Sequence, residues 1–348
     1  MKRMLLGAAL AALVLGGSAV MAAQNNANLR IYWIDVEGGA STLFVSPTGE
    51  SLLFDTGNPG NGDRDAKRIF ATAKKAGLTR IDHFITTHWH IDHIGGLPEL
   101  AKRIPIERFY DRGLPPSPKD EGTKQEYVDA YLAISKGREK VLKSGDEVPL
   151  RELPGSPKVT LKCVVANSMP EGGAASVAGA AACTVHPAHA ADLSDNAKSL
   201  GFVLTFGGFR FLVLGDLTWN VEHALVCPKN RLGDIDLYQV THHGLDLSNN
   251  PVLLEAIKPR AAVMENGPRK GGARSVIASL KSLGTELFQV HRNVDIPESA
   301  NAPRDHVANW DDPCQGEPVT ARVSPDAKSY TVKVGRGGIE RTFETRAR

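Results

Sequence analysis

Short runs of β-branched and aromatic residues, separated by turn residues, make up the chain from residue 29 to residue 55. This pattern predicts an antiparallel sheet at the start, with strands over residues 29–36, 41–45 and 51–55. A helical period with an apolar face follows over residues 63–76. Another strand, predicted over residues 81–87, leads directly into a cluster of histidines.

The rest of the chain alternates between strand-like and helical patterns. Residues 123–143 have helical spacing, whereas residues 154–191 are rich in Gly, Ala and Pro and predict a long loop or an insertion. Strands over 200–206 and 209–214 form a predicted hairpin around Gly207-Gly208. The remaining predicted elements are a strand at 236–240, a helix at 251–257, a strand at 261–264, a helix at 274–283 and strands at 319–323 and 330–334. This order predicts an α/β fold of two sheets flanked by helices.

The composition is that of a soluble globular protein, with 42% hydrophobic and 23% charged residues among 348. These fractions exclude collagenous, coiled-coil and wholly disordered chains. The length allows one large or two ordinary domains. The four cysteines form no Cys-x-x-Cys pair. In an exported protein they allow up to two disulfides in three connectivities, or they stay free and buried.

Residues 1–23 have the pattern of a secretory signal peptide, in which Lys2 and Arg3 precede an apolar stretch over residues 5–20. We expect an exported protein, periplasmic or secreted, without a stable membrane span after cleavage; a retained membrane helix is the alternative. Cleavage removes Lys2 and Arg3 from 41 basic residues and leaves 39 basic against 39 acidic residues. This balance provides no general attraction to nucleic acid, although a local basic groove stays open.

The strongest chemical signal is the segment 87–96, Thr-His-Trp-His-Ile-Asp-His-Ile-Gly-Gly, at the end of a predicted strand. His88 and His90 are two residues apart, so in an extended turn their imidazoles can share one metal ion. Asp92 and His93 lie at the start of a helix, turned away from that pair, where they can serve a second ion. Imidazole and carboxylate ligands suit Zn²⁺, Mn²⁺ or Fe²⁺.

The spacing His-x-His-x-Asp-His after an apolar strand resembles the signature of the metallo-β-lactamase-fold hydrolases. Three further segments lie in the family's order: residues 53–57 with Asp55, residues 211–216 with Asp216, and residues 238–244 with His242 and His243. The resemblance implies that Asp55 braces the metal loop and that Asp216 bridges two metals. Either late histidine could be the ligand; the family pattern favours His243, which leaves His242 to face the substrate. The implied fold is an αββα sandwich of two mixed sheets flanked by helices.

A closer resemblance is to the soluble hydrolase domain of competence DNA-uptake proteins, over residues 29–290. It rests on Ile-Asp-Val-Glu-Gly-Gly at 34–39, Ser-Asp-Asn-Ala-Lys-Ser-Leu at 194–200 and His-His-Gly at 242–244. It implies a hydrolase domain over residues 28–300 with Asn196 in a supporting role. The strands within residues 301–348 would then be a last hairpin of the fold or a small appendage.

Three departures from the family pattern bear on the site. Ala40 stands where that subfamily has an acidic residue, and Gly272-Ala273-Arg274 replaces its Gly-His-Pro element. No histidine lies at Asp195-Asn196, although lactamase-fold hydrolases supply one between the first cluster and the bridging aspartate. One metal is therefore short of a protein ligand, which water or one of two upstream loop histidines, His186 or His189, could replace.

The resemblance implies an exported metal-dependent hydrolase with two divalent ions, zinc being favoured and manganese the alternative. Metal-bound water would attack the substrate, Asp92 would orient it or pass its proton, and His242 would contact the leaving group. A phosphodiester, including nucleic acid, or another small molecule is the expected substrate, and lactam, ester or thioester hydrolysis comes next. A mononuclear iron thiol dioxygenase and a non-catalytic binding protein of the same fold are the other classes.

Three basic residues, Arg269, Lys270 and Arg274, lie in or beside a glycine-containing loop at residues 271–272. This loop is either an anion-binding patch or a solvated surface. The oligomeric state stays open.

Overall fold

The computed structural model describes residues 27–116, 119–172, 183 and 188–348. The predicted signal peptide at residues 1–23 and His186 lie outside the described residues. Among the helices of the described ranges, none has the length and apolar character needed to cross a bilayer.

The first sheet starts as the predicted antiparallel meander and continues in parallel. Its strands in the described residues, numbered in chain order, are β1 (Leu29–Trp33), β2 (Thr42–Val45), β3 (Ser51–Phe54), β4 (Ile81–Ile85), β5 (Ile106–Asp111), β6 (Glu139–Val141), β16 (Val319–Val323), β17 (Ser329–Val334) and β18 (Glu340–Glu344). Their order across the sheet is β18-β17-β16-β1-β2-β3-β4-β5-β6. Strands β1 to β3 pair antiparallel, and β3 to β6 pair parallel.

The second sheet is also mixed. Its strands are β7 (Glu147–Val148), β8 (Val159–Ala166), β9 (Met169–Pro170), β10 (Gly201–Phe206), β11 (Phe209–Val213), β12 (Leu237–Gln239), β13 (Ala261–Met264), β14 (Glu286–His291) and β15 (Val307–Asn309). Their order is β15-β14-β13-β12-β11-β10-β8-β7, with β9 paired to β8. Strands β11 to β15 run parallel, and β10 pairs antiparallel with both of its neighbours.

Helices cover the outer face of each sheet. They are α1 (Arg64–Lys75), α2 (Ile91–Ile94), α3 (Leu97–Ala101), α4 (Gln125–Ser135), α5 (Trp219–Val226), α6 (Pro251–Ile257) and α7 (Arg274–Ser282). The apolar residues of α1 to α4 share a core with the first sheet, and those of α5 to α7 share one with the second. A third core joins the inner faces of the two sheets, where Phe44 packs against Phe211 and Phe54 against Phe202 with ring centroids 5.3 Å apart. The predicted fold class, two mixed sheets between helices, is confirmed.

The C-terminal strands extend the first sheet. Strand β16 pairs antiparallel with β1 from Leu29↔Val323 to Trp33↔Val319, and β17 and β18 follow outward. Tyr330 reaches across to the second sheet, where its hydroxyl donates a hydrogen bond of 2.8 Å to the backbone oxygen of Asp236. These strands therefore help to hold the two sheets together.

The structure corrects the prediction of a long loop over residues 154–191, because strand β8 lies within it. The side chains of Val159, Leu161 and Cys163 are buried, and Thr160 and Lys162 between them are half-buried. This alternation is the period of a strand with one face in the core. The Pro- and Gly-rich residues on both sides hide it in the sequence.

One predicted helix is shorter than expected, and the structure gives the cysteine pairing that the sequence left open. The helix predicted over residues 123–143 ends at Ser135, because Lys136 and Gly137 adopt left-handed conformations with φ of 50° and 80°. Residues 139–141 then form β6. Cys183 and Cys227 form a disulfide, and Cys163 and Cys314 are free.

Candidate metal centre

The sequence-predicted site residues meet at the carboxyl ends of strands from both sheets. The histidine cluster follows β4, Asp216 follows β11, and His242 and His243 lie in a turn, Thr241–Gly244, after β12. Backbone hydrogen bonds hold these loops together: Leu200 N donates to Thr87 O at 2.9 Å, and His242 N donates to Gly215 O at 3.0 Å.

Four imidazoles surround one carboxylate oxygen, Oδ2 of Asp216. Their Nε2 atoms lie 3.2, 3.4, 3.4 and 3.9 Å from that oxygen, in His93, His242, His243 and His88 respectively. Asp92 joins the group, since its Oδ2 lies 3.3 Å from Nε2 of both His93 and His243. One ligand atom from each of Asp92, His93, Asp216 and His243 lies within 4.8 Å of the others.

Each of these imidazoles is held from behind through its other nitrogen. Nδ1 of His93 lies 2.8 Å from Asp55 Oδ2, and Nδ1 of His243 lies 3.0 Å from the backbone oxygen of Glu265. Nδ1 of His88 and of His242 contact hydroxyl oxygens at 3.1 and 3.0 Å, those of Thr87 and Ser248. Contacts of this kind orient metal-ligating histidines, because they direct Nε2 toward the centre.

The inward-facing nitrogens fit a metal ion. Nε2 of His88, His93 and His243 is buried and has no hydrogen-bond partner among the described residues. A buried polar atom without a partner costs about 1–3 kcal/mol. Imidazole nitrogens beside two carboxylates are a donor set that suits zinc or manganese.

The charges of the centre lead to the same conclusion. Burial alone would raise the pKa values of Asp92 and Asp216, but the adjacent histidines, His93 above all, lower both well below the usual range. Burial would lower the pKa of His93, but Asp216, Asp92 and Asp55 raise it well above its usual value. The two buried carboxylates therefore depend on positive charge beside them, which bound metal ions would supply.

His88 and His242 differ from His93 because burial dominates. Burial lowers the pKa of His88 well below its usual value and that of His242 to about 4. Both rings are therefore neutral at pH 7, the protonation state that a metal ligand needs.

His90 lies at the edge of the centre. Its Nε2 is 2.9 Å from Oδ2 of Asp120, and its ring centroid is 4.7 Å from that of His88. Only Nδ1 of His90 is left for a metal, so the shared site of His88 and His90 stays a prediction. The sequence analysis did not predict Asp120 as a site residue. It lies in a loop without a motif that would indicate a contact with His90.

Asp55 lies behind the cluster, where a brace was expected. Its Oδ1 accepts a hydrogen bond of 2.8 Å from Thr87 N, and its Oδ2 accepts bonds from Thr87 Oγ1 at 2.7 Å and from His93 Nδ1. The carboxylate thus connects the loop after β3 to both ends of the histidine cluster.

Asn196 lies beside His242, with its Nδ2 3.3 Å from Nε2 of that ring. The neighbouring Asp195 accepts a hydrogen bond of 2.6 Å from Trp89 N and forms a buried ion pair with Arg112. His189, one of the loop histidines considered as a ligand, stacks on Trp219 with ring centroids 4.1 Å apart and is exposed.

Lys270 contacts the centre, whereas the sequence indicated only that this residue lies in a basic loop. Its Nζ forms an ion pair with Oδ2 of Asp92, whereas Arg269 pairs with the exposed Asp295 on the surface. The loop packs tightly on the centre, because a Cβ at Gly271 would lie 2.1 Å from the backbone oxygen of His243. Backbone packing therefore determines where Lys270 enters the site.

Residues 34–162 match the family model of the metallo-beta-lactamase superfamily. The chain contains a metallo-β-lactamase superfamily domain. The matched segment includes Asp55 and the histidine cluster, and Asp216 and His243 follow in the same sandwich. The resemblance inferred from His-x-His-x-Asp-His is thereby confirmed.

Relatives of this metallo-β-lactamase domain differ in their described roles. ComE operon protein 3 of Bacillus subtilis is 26% identical over 201 residues, which are 57% of this chain and 21% of that protein. An atrochrysone carboxyl ACP thioesterase of Cryptosporiopsis is 36% identical over 67 residues, which are 19% of this chain and 20% of that protein. The matches thus span about a fifth of the length of these relatives. Among solved structures, a metallo-beta-lactamase of Staphylococcus aureus is 17% identical with a TM-score of 0.33, covering 76% of this chain and 55% of that one.

Proposed function

We propose that the protein is an exported metal-dependent hydrolase that acts on a phosphodiester-type substrate. The observation that carries the proposal is the set of buried imidazole nitrogens directed at Asp216. Two divalent ions, zinc or alternatively manganese, would be held by His88, His90, Asp92, His93, Asp216 and His243. When bound, such ions lower the pKa of a coordinated water toward neutrality and polarise the substrate. Export rests on the pattern of residues 1–23.

The protein's own groups have distinct tasks in this proposal. Asp216 stays ionised among the imidazoles and holds the negative charge of the centre. Asp92 is the more accessible carboxylate, with 13% of its side chain exposed against 4% for Asp216. It is therefore the group placed to orient the attacking water and accept its proton. His242 turns Nε2 toward Asp216, which weakens the expectation that this ring contacts a leaving group.

Lys270 supports an anionic substrate. Its side chain is 42% exposed and brings an ammonium group to Asp92 at the mouth of the centre. Once Asp92 serves as a metal ligand, this ammonium loses its partner, and its flexible stem can reach an oxygen of the substrate. A phosphodiester places such a negatively charged oxygen on the reacting phosphorus. Nucleic acid is a less favoured phosphodiester substrate, because the chain without residues 1–23 has balanced charge and does not attract it in general.

Thioester hydrolysis is the second candidate, because a thioesterase is among the relatives that match the chain. The same centre could act on a carbonyl carbon, with Lys270 on a remote anionic group of the substrate. A substrate panel of a phosphodiester, an acyl thioester and a β-lactam separates these cases.

The first test is metal content and turnover. We expect elemental mass spectrometry to find about two zinc or manganese ions per chain, and phosphodiester hydrolysis to exceed thioester and lactam hydrolysis. Asp92→Ala and Asp216→Ala should each abolish turnover and lower the metal content, whereas the surface variant His189→Ala should match the wild type. Full activity in either aspartate variant would refute the site. One iron per chain would favour a dioxygenase, and no bound metal a binding protein.

The role of Lys270 has a separate test. Loss of a hydrogen bond to a charged group costs about 1.5–3 kcal/mol, so Lys270→Ala should raise KM for an anionic phosphodiester about tenfold or more. Lys270→Arg keeps the charge and should lose less. Arg269→Ala, in the same loop but paired with Asp295 on the surface, is the matched control. Equal effects of the two alanine variants would show that the loop, and not the ammonium, matters.

A further inference from the structure

The first metal position of the predicted centre lacks one histidine. His88 and His90 are its expected ligands, and residues 94–215 contain only His186 and His189. His189 stacks on Trp219 and is exposed. The described residues offer another imidazole at the centre itself, that of His242.

The hydrogen bonds of His242 determine which of its nitrogens carries the proton. Ser248 Oγ has a single proton, which it donates to the backbone oxygen of Leu217 at 2.7 Å. It must therefore accept a hydrogen bond from Nδ1 of His242 at 3.0 Å. A neutral imidazole that donates through Nδ1 has a lone pair on Nε2. This tautomer is assigned from the hydrogen-bond network.

The lone pair of His242 faces another electron-pair donor. Nε2 lies 3.4 Å from Oδ2 of Asp216, where two lone pairs repel each other unless a cation lies between them. The amide Nδ2 of Asn196 donates a long hydrogen bond of 3.3 Å to the same Nε2, which leaves the repulsion from Oδ2 of Asp216 in place. Nε2 of His88 faces the same oxygen without a partner among the described residues.

The backbone explains how two consecutive histidines reach the same point. In an extended chain, successive side chains point in opposite directions. His242 and His243 instead have φ of 54° and 55°, and Nε2 of each lies 3.4 Å from Oδ2 of Asp216. A left-handed conformation of a non-glycine residue costs about 1–3 kcal/mol. Nδ2 of Asn249 stabilises the turn through hydrogen bonds of 2.9 and 3.1 Å to the backbone oxygens of Thr241 and Leu245.

From this geometry we infer that His242 is a metal ligand that replaces the missing histidine of the first metal position. His88, His242 and Asp216 would hold that ion, and His90 would join them only through Nδ1, because its Nε2 contacts Asp120. Asp92, His93 and His243 would hold the second ion together with Asp216. The inference rests on the proposed metal-dependent function and assigns each late histidine to a different ion.

Metal stoichiometry and affinity test the inference. Wild-type protein and its variants are stripped with a chelator, reloaded with zinc, freed of excess metal and analysed by elemental mass spectrometry. The wild type should retain about two ions and His242→Ala about one. His189→Ala and His186→Ala are the matched histidine controls, and both should retain two. Far-ultraviolet circular dichroism and thermal melting of the apoproteins show whether each variant is folded.

Ser248→Ala tests the same assignment without removing the ligand. It deletes the acceptor that holds the proton on Nδ1 of His242. Loss of such an outer contact typically weakens metal binding 10–100-fold. A competition titration with a chromophoric chelator should therefore show one weakened ion and one ion of unchanged affinity.

Two results would overturn the inference. One is a folded His242→Ala protein that retains two ions with wild-type affinity. The other is loss of an ion from His186→Ala while His242→Ala keeps both. A wild-type protein that binds no metal would overturn the inference and the proposed function together. A wild-type protein that binds two ions but hydrolyses nothing would refute only the function, and loss of one ion in His242→Ala would still support the assignment of His242.

Discussion

At the scale of single residues, the centre depends on oxygen atoms that orient the imidazole rings. The ring of His93 is held by the Asp55 carboxylate, that of His243 by a backbone oxygen, and that of His242 by a serine hydroxyl. Because each contact engages Nδ1, Nε2 faces the centre in all three rings. These outer oxygens should therefore matter almost as much as the ligands themselves.

Asp55→Asn should weaken metal binding while leaving all ligands in place. An amide offers one acceptor oxygen where the carboxylate now accepts hydrogen bonds from Thr87 N, Thr87 Oγ1 and His93 Nδ1. We expect zinc affinity to fall about 10–100-fold in a chelator competition titration. Asp82→Asn is the control, because Asp82 is also buried but bonds to Ser51 of β3 and to Arg80, which precedes β4. Wild-type affinity in Asp55→Asn would contradict the bracing role.

At the scale of elements, α5 and α6 support the turn that holds the two late histidines. Glu222 of α5 is fully buried and accepts a hydrogen bond of 2.8 Å from Asn250 N at the start of α6. Its other oxygen has no hydrogen-bond partner among the described residues. Burial raises the pKa of Glu222 to about 7. The packing of these helices therefore tolerates the neutral acid better than the carboxylate.

This raised pKa makes part of the folding stability depend on pH. The folded protein binds the proton of Glu222 more tightly than the unfolded chain does, so stability falls as pH rises from about 4.5 to about 7. A shift of this size corresponds to at most about 3 kcal/mol. Glu222→Gln should remove this loss, so in urea unfolding the variant should gain stability over the wild type at pH 8 relative to pH 5. The exposed Glu255→Gln on α6 is the control. An equal difference at both pH values would contradict the buried-acid explanation.

At the scale of the whole molecule, the chain after residue 318 completes the first sheet. Strand β16 covers the edge of β1, and seven buried side chains of this region join the core between the sheets: Val319, Ala321, Val323, Ala327, Tyr330, Val332 and Val334. Burial of a large apolar side chain contributes about 1.5–3 kcal/mol. The five larger side chains, without Ala321 and Ala327, therefore contribute an amount comparable to the net stability of an ordinary domain, which is about 5–15 kcal/mol.

Deletion of residues 319–348 should therefore prevent stable folding. The expected result is loss of the cooperative thermal transition in circular dichroism, with loss of metal binding as a consequence. Deletion of residues 340–348 is the milder control, because it removes the mostly exposed edge strand β18 and the contacts of Arg346 and Arg348 with Asp236 but leaves β16 and β17 in place. A cooperative transition near that of the full chain after the longer deletion would show that the C-terminal strands are dispensable.

The sequence alone determined the features that depend on neighbouring residues. The helix at residues 251–257, the strand at 261–264 and the hairpin at Gly207-Gly208 follow from periodicity and turn residues, which are local. The family and the fold class followed from the spacing of His-x-His-x-Asp-His and from the order of the other motifs. Strand β8 was missed because its alternating pattern is surrounded by Gly, Ala and Pro, which dominate a composition-based prediction.

Only the tertiary structure decided which partners complete the centre. Lys270 meets Asp92 across 178 positions, and Asp120 meets His90 across 30. His243 is oriented by a backbone oxygen, which every residue has and which no sequence motif records. The left-handed turn that directs both late histidines at Asp216 likewise cannot be predicted from the segment His-His-Gly. These contacts depend on how two sheets bring distant loops together. Residue type and spacing along the chain do not predict how close two such loops lie in space.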